Sequence, residues 1–146
     1  MRNRFALALA LMMFSAAIFS GCTGSSGPGG GSYQDGTFAG QSGEDDKGAY
    51  GEARVTIEGG RITDCEFVTW QADGSVKDEN YGKINGGISN QDYYDKAQLA
   101  VRAMAEYAER LRETGSLDDV DAVTGATIAY DQFVESVQNA LEQAKE

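Results

Sequence analysis

The sequence predicts an α+β fold in which a small antiparallel sheet, built around a β-hairpin, packs against two helices. Two observations predict the sheet: apolar and polar residues alternate before residue 70, and a Gly-Gly pair separates two such runs. A third observation predicts the helices, because apolar residues recur every three or four positions in two later segments. The predicted order is strand, strand, strand, helix, turn and helix.

The hairpin is predicted from the second and third strands. The three strands are expected at residues 35–40, 53–58 and 61–70. Gly59 and Gly60 separate the last two, which favours a type I′ turn because both central residues of that turn need a positive φ. This turn would place Ile57 opposite Ile62.

The spacing of apolar residues changes within the third strand. After Ile62 they fall at Cys65 and Phe67, so strict alternation would turn the charged Asp64 toward the core. One extra residue on this strand restores the pattern. We therefore predict a β-bulge near Thr63 and Asp64.

The helices are predicted at residues 92–112 and 130–144. Gly115 is expected to end the first helix, and residues 117–123 are expected to be extended. Residues 71–90 are rich in Gly, Asn, Asp and Lys and form a long loop. A loop of this length is either a lid over a ligand or a plain surface excursion.

The N-terminal segment has the pattern of an export signal. Arg2 and Arg4 precede an apolar run of about 15 residues, which is shorter than the roughly 20 that a spanning helix needs. Small residues then lead to Cys22, whose surroundings resemble a bacterial lipobox, although Phe19 stands where Leu is usual.

We therefore expect a signal peptide over residues 1–21, and lipidation of Cys22. The lipid would hold the protein at the extracytoplasmic face of a bacterial membrane. A Gly/Ser-rich tether over residues 22–32 would join it to a folded domain over residues 33–146. The alternative is an ordinary secreted protein that is cleaved nearby.

Composition excludes several classes of function. The chain has a net charge of −11, which becomes −13 without the signal peptide, and it contains no His. A negative field repels nucleic acid, so we expect no such partner. The acidity either attracts basic redox proteins or serves only to keep the protein soluble. Without His, there are no His-based triads or His metal sites, and we expect neither catalytic residues nor a metal site. Cys65 is expected to be a buried thiol whose acidic neighbours raise its pKa.

The most informative segment is Asp-Ala-Val-Thr-Gly-Ala-Thr at residues 121–127. Gly125 admits backbone angles that are closed to other residues, and Ala126 adds almost no bulk. The helix that follows offers N–H groups without acceptors and the positive end of its dipole, which suits a phosphate. Thr127 is therefore a candidate for covalent modification.

This segment resembles the flavinylation signature Asp-x-x-(Ser/Thr)-Gly-Ala-(Ser/Thr) of FMN-binding domains. These domains occur in the C subunit of the sodium-pumping NADH:quinone reductase, the G subunit of Rnf complexes and many flavin-bearing lipoproteins. The Asp-Gly-Thr-Phe and Ile-Glu-Gly-Gly-Arg-Ile-Thr-Asp segments are also similar to the start of such domains, particularly of the lipoproteins called major membrane immunogens.

The resemblance implies an FMN-binding-domain fold and a covalent FMN on Thr127. A separate Mg-dependent flavin transferase would move the FMN half of FAD onto this hydroxyl and release AMP. Gly125 and Ala126 would leave room for the transferase, while Asp121 and Thr124 would shape the turn.

An electron-transfer function is also implied by the resemblance. The anchored domain would relay reducing equivalents between a membrane electron donor and an extracytoplasmic acceptor, as a redox carrier rather than a turnover enzyme. Trp70 and Tyr81 border the long loop and are the candidates for stacking on the flavin ring. Family members often carry Ser or Thr shortly after the modified residue, where this chain has Ala129 and Tyr130, so Asp131 is expected to cap the last helix.

Two other functions compete with electron transfer. An unflavinylated lipoprotein of the same fold would act as a binding or assembly module, with residues 71–90 contacting a partner. A hydrolase is disfavoured, because His is absent and no nucleophile has an adjacent base in the sequence.

Overall fold

The computed structural model describes residues 33–145 as three strands and two long helices. The strands are β1 (Gly36–Gln41), β2 (Tyr50–Glu58) and β3 (Arg61–Trp70), and the helices are α1 (Gln91–Thr114) and α2 (Thr127–Gln143). The strands form one antiparallel sheet in the order β1-β2-β3, which confirms the predicted α+β class. Neither helix in this part of the chain is apolar enough to cross a bilayer. The predicted signal peptide, the lipidation site Cys22 and the tether lie outside the described residues.

The hairpin between β2 and β3 has the predicted turn. Gly59 and Gly60 have φ values of 61° and 73°, and Glu58 pairs with Arg61 across them. Ile57 lies opposite Ile62, as the sequence predicted.

The predicted bulge is also confirmed. Ile57 pairs with Ile62 and Thr56 pairs with Asp64, so Thr63 is the extra residue on β3. The shift brings Cys65 opposite Val55, and both side chains are buried. Burial, reinforced by the charge of Asp64, raises the pKa of the Cys65 thiol to about 12.

Both helices pack on the same face of the sheet. Helix α2 lies over β1 and β2, and α1 lies over β3. Phe133 of α2 meets Phe67 of β3 edge to face at a centroid distance of 5.2 Å. The largest fully buried side chains come from both layers: Tyr107, Phe133, Ile57, Leu111, Val55, Val120 and Val137. The core is therefore a single layer between helices and sheet.

Helix α1 differs little from its prediction. The Asn90 side chain accepts a hydrogen bond from the Tyr93 N–H, which starts the helix at Gln91. Gly115, in the left-handed conformation with a φ of 68°, ends it as predicted. Tyr93 belongs by its spacing to the apolar stripe that predicts this helix, but it lies in the first turn and is 44% exposed.

Helix α2 begins at Thr127, three residues before its predicted start. The Ala126 carbonyl already accepts a hydrogen bond from the Tyr130 N–H at 3.0 Å, so the helical ladder begins there. Asp131 therefore lies within the helix and does not cap it, which corrects the prediction. Residues 117–123 were expected to be extended throughout, but Leu117–Asp119 form a short 3₁₀ turn because the Ser116 carbonyl accepts from the Asp119 N–H.

A glycine on β1 allows α2 to approach the sheet closely. A Cβ atom added at Gly40 would lie 2.2 Å from the Ser136 carbonyl oxygen and 2.4 Å from the Ala140 nitrogen. Both atoms belong to the helix backbone, which cannot move aside as a side chain can. Any larger residue at Gly40 would therefore push α2 away from the sheet.

Replacing Gly40 by Ala is expected to lower the free energy of unfolding by about 3 kcal/mol, because the new methyl group overlaps the α2 backbone. Chemical denaturation monitored by circular dichroism measures this loss. Gly43→Ala is the matched control, since its nearest neighbours are the flexible Glu135 carboxylate oxygens at 3.8 Å. Equal stabilities of the two variants would contradict the close approach of α2.

Candidate functional site

Residues 123–126 form a tight turn that leads directly into α2. The Ala126 N–H donates to the Val123 carbonyl at 3.0 Å, which closes the turn. Gly125, the third residue, has a φ of 88°, a conformation that favours glycine over residues with a Cβ. We call residues 123–126 the acceptor turn. Thr127 follows it as the first residue of α2.

The residues predicted to form the modification site lie together, and all but Ala126 are exposed. Asp121, Thr124, Gly125 and Thr127 are exposed, whereas Ala126 is only 3% exposed and packs into the core. Ala126 thus anchors the turn from below while the hydroxyl of Thr127 stays open to solvent. The structure brings these five sequence-predicted residues into one local site.

The start of α2 is suited to hold an anionic group. Ala126 is the N-cap residue of α2 and makes no side-chain capping hydrogen bond, and the first turn of the helix carries no acidic residue. The first N–H groups of a helix have no carbonyl one turn earlier, and they lie at the positive end of the helix dipole. A phosphate on the Thr127 hydroxyl would meet these donors, so the residues present fit a phosphoester.

The hydroxyls of two tyrosines also contribute to the site, a role that the sequence did not predict. The Tyr107 hydroxyl accepts a hydrogen bond from the Val123 N–H at 3.0 Å and lies 3.4 Å from the Ala126 carbonyl oxygen. The Tyr130 hydroxyl donates to the Val120 carbonyl at 2.8 Å. The two rings pack edge to face at 5.4 Å. The signal in the sequence was the hydroxyl itself, since Phe would satisfy an apolar stripe equally well.

A cleft of about 260 Å³ lies beside the long loop. Its walls come from the β1–β2 connection, the long loop and the start of α1: Asp45, Lys47, Ala49, Gln71, Ala72, Asp73, Lys77, Tyr81 and Tyr93. The Lys77 ammonium lies 5.3 Å from the centre of the Tyr81 ring and 3.9 Å from the Asp45 carboxylate. The cleft therefore combines aromatic faces with a fixed cation.

Burial changes the titration of three groups in this cleft. It raises the pKa of Tyr81 to about 12, with a contribution from nearby Tyr93. It lowers the pKa of Lys77, against the opposing charge of Asp45. Burial alone would raise the pKa of Asp45, but hydrogen bonds from the Ala49 and Lys47 N–H groups, together with Lys77, hold it below its ordinary value.

The cleft and the acceptor turn are both built on the N-terminal halves of the helices. Gln132, five residues after Thr127, donates from its side chain to the Ala49 carbonyl at 2.8 Å. On α1, the Gln98 side chain donates to the Tyr81 carbonyl at 2.9 Å. The next residue on α1, Leu99, lies beside the acceptor turn, since a Cβ atom added at Gly125 would be 3.0 Å from its side chain. Neighbouring side chains thus support both features.

The two predicted stacking residues have different surroundings. Tyr81 lines the cleft. Trp70 is half-buried at the end of β3, where it forms a bridge with Val76, and it does not line the cleft. Its indole N–H is shielded from solvent and has no hydrogen-bond partner within residues 33–145.

Residues 48–142 match the FMN-binding domain family, and the chain belongs to that family. It is therefore a flavoprotein domain whose cofactor is FMN.

One solved structure shares the fold. It is the CPE2226 protein from Clostridium perfringens, which is 20% identical and superposes with a TM-score of 0.59 over 77% of this chain and 88% of its own. At this identity the likeness shows the fold alone. A comparison with curated proteins found no match.

Gly125→Ala is expected to lower the free energy of unfolding by about 2 kcal/mol, because it combines backbone strain at a positive φ with a contact against Leu99. Gly74→Ala is the matched control, since Gly74 has a φ of 81° but nothing lies within 4 Å of an added Cβ. The control should lose only about 1 kcal/mol, the cost of the backbone strain. Urea denaturation of both variants measures the difference, and equal losses would exclude a contribution from the Leu99 contact.

Proposed function

We propose that Thr127 carries FMN covalently through a phosphoester and that the domain is an electron carrier outside the cytoplasm. The observation that carries the proposal is the exposed Thr127 at the start of α2, where no side chain caps the helix, in a chain that belongs to the FMN-binding domain family. A free FMN molecule that dissociated outside the cell would be lost. Covalent attachment prevents that loss.

Attachment requires a separate flavin transferase that uses FAD and Mg²⁺. The Thr127 oxygen forms a bond to the FMN phosphorus, the pyrophosphate bond of FAD breaks, and AMP leaves. The hydroxyl proton passes to a base of the transferase, because an unactivated Thr is a weak nucleophile. The role of the domain is therefore to present the hydroxyl.

The residues around Thr127 have distinct roles in this proposal. The first N–H groups of α2 hold the charge of the phosphodiester, worth about 0.3–1 kcal/mol at an exposed helix start. The Thr124 hydroxyl hydrogen-bonds the turn or the phosphate. Asp121 serves transferase recognition, since a carboxylate and a phosphate repel each other. Gly125 and Ala126 leave the approach to Thr127 free of side chains.

The cleft beside the long loop is the proposed place for the flavin ring. Tyr81 offers an aromatic face there, and Lys77 offers a positive charge. Such a charge favours a flavin that has gained electrons, because reduction adds negative charge. Trp70, at the end of β3, is the second proposed contact, close to where residues 71–77 leave the sheet to form one wall.

Electron transfer is the function that FMN supplies, since its ring accepts and releases one or two electrons. The acidic chain would attract basic redox partners and repel nucleic acid. We propose that lipidated Cys22 anchors the domain at the membrane and that residues 22–32 act as a tether. The domain would then relay electrons from a membrane donor to an extracytoplasmic acceptor.

Thr127→Ala is expected to abolish covalent attachment of flavin, because it removes the hydroxyl oxygen that would form the ester with FMN. The exported protein is produced together with an active flavin transferase, denatured on a gel and viewed for flavin fluorescence, and its mass is measured. Thr127→Ser should keep the flavin, and Thr124→Ala is the matched control that removes the neighbouring hydroxyl of the same motif.

Two results would contradict this assignment in different ways. Flavin fluorescence that persists in the denatured Thr127→Ala variant would show that FMN is attached to another residue. A parent protein that stays bare while the transferase modifies another substrate favours the unflavinylated binding or assembly module.

Tyr81→Leu is expected to increase the fluorescence of the attached flavin several-fold, because an aromatic ring in contact with flavin quenches its emission. Steady-state fluorescence of the native, flavin-bearing protein measures this change. Tyr94→Leu is the control, since Tyr94 lies on α1 near the same loop but does not line the cleft. An increase in Trp70→Leu with none in Tyr81→Leu would move the ring to the end of β3.

A further inference from the structure

We propose that Tyr107 is a positioning residue that holds the acceptor turn in the conformation that the flavin transferase recognises, with Tyr130 as its support. This inference rests on the proposed function, because it concerns the presentation of Thr127. Together we call these residues the tyrosine clamp.

The Tyr107 hydroxyl joins the first and last residues of the acceptor turn. The turn is closed by one backbone hydrogen bond, from the Ala126 N–H to the Val123 carbonyl. The Val123 N–H donates to the Tyr107 hydroxyl at 3.0 Å, and the same hydroxyl lies 3.4 Å from the Ala126 carbonyl oxygen, which also accepts from the Tyr130 N–H. Tyr107 therefore contacts the backbone at both ends of the turn.

Tyr107 comes from outside the turn and is held rigidly. It lies on α1, is 0% exposed, and packs against Phe133 at a centroid distance of 5.6 Å. A tyrosine hydroxyl keeps its proton at neutral pH, and burial raises the pKa of Tyr107 further. The acceptor turn is thereby fixed to the core.

Tyr130 holds the chain just before the turn. Its hydroxyl donates to the Val120 carbonyl at 2.8 Å, and its ring packs edge to face on Tyr107. Because Tyr130 lies one turn after Thr127 on α2, this bond ties the residues before the turn to the helix that follows it. The clamp thus fixes both sides of Thr127.

Core packing alone does not require these hydroxyls. A Phe at residue 107 would keep the ring contacts with Phe133 and Tyr130, but it would leave the Val123 N–H without its acceptor. Only a fraction of the Tyr107→Phe molecules would then hold the acceptor turn in the conformation that the transferase binds. The apparent affinity of the transferase for the variant falls in proportion to that fraction, whereas the rate of FMN transfer within the bound complex is unchanged.

The test is Tyr107→Phe in the full exported chain, with FAD, Mg²⁺ and purified flavin transferase. We expect the KM for the acceptor protein to rise about tenfold with kcat unchanged, as two lost hydrogen bonds predict. Tyr94→Phe is the matched control, because its hydroxyl also donates to a backbone carbonyl, that of Glu79 at 3.1 Å, away from the acceptor turn. The control should keep the parental KM.

A second readout tests the clamp without any flavin. Amide exchange at Val123 should accelerate about tenfold in Tyr107→Phe relative to the parent, because that N–H loses its acceptor. Tyr130→Phe removes the hydrogen bond to the Val120 carbonyl, so it should also raise the KM of the transferase for the acceptor protein. Parental KM values in both clamp variants, or unchanged exchange at Val123, would overturn the inference. A parent protein that accepts no FMN would overturn the proposed function, while the exchange measurement would still test the clamp.

Discussion

The close packing of α2 on the sheet is the constraint on which the rest of this domain depends. Gly40 lets the helix backbone approach β1 without a side chain between them. Side-chain amides of α2 then bond to the carbonyls of this edge strand, from Asn139 to Gln41 and from Gln143 to Ala39. These bonds cover an edge that would otherwise expose unpaired backbone groups. They also hold α2 in place along β1.

The proposed modification site combines a rigid base with an open surface. Ala126 and the tyrosine clamp bind the turn to the core, while Thr127 remains exposed. This arrangement suits a residue that another enzyme must reach, because the hydroxyl is accessible without local unfolding. The hydroxyl of Tyr107 accepts the Val123 N–H, so the contact that satisfies this backbone donor also fixes the position of the turn.

The sequence indicated much of this site because its information is local. A Gly that needs a positive φ, a small residue after it and a helical stripe following it are all readable within ten residues, and Asp121 to Thr127 do lie together. The start of α2 was misplaced because the cap is the backbone of Ala126, which carries no side-chain signal. Asp is a residue type that often caps helices, but Asp131 lies four residues after the start of α2 and so cannot cap it. The clamp was missed because a Tyr in an apolar stripe gives no indication of which carbonyl its hydroxyl will meet.

The sequence by itself determined the α+β class, the type I′ hairpin, the bulge at Thr63 and the glycine turn before Thr127, because each follows from local backbone preference or from the alternation of apolar residues. Only the tertiary structure decided that Gly40 faces the α2 backbone, that Tyr107 reaches the acceptor turn from another helix, and that Lys77 and Tyr81 share a cleft with Asp45. Those contacts join residues far apart in the chain. Their partners are set by how the helices pack on the sheet, and a pattern along one segment carries no record of that packing.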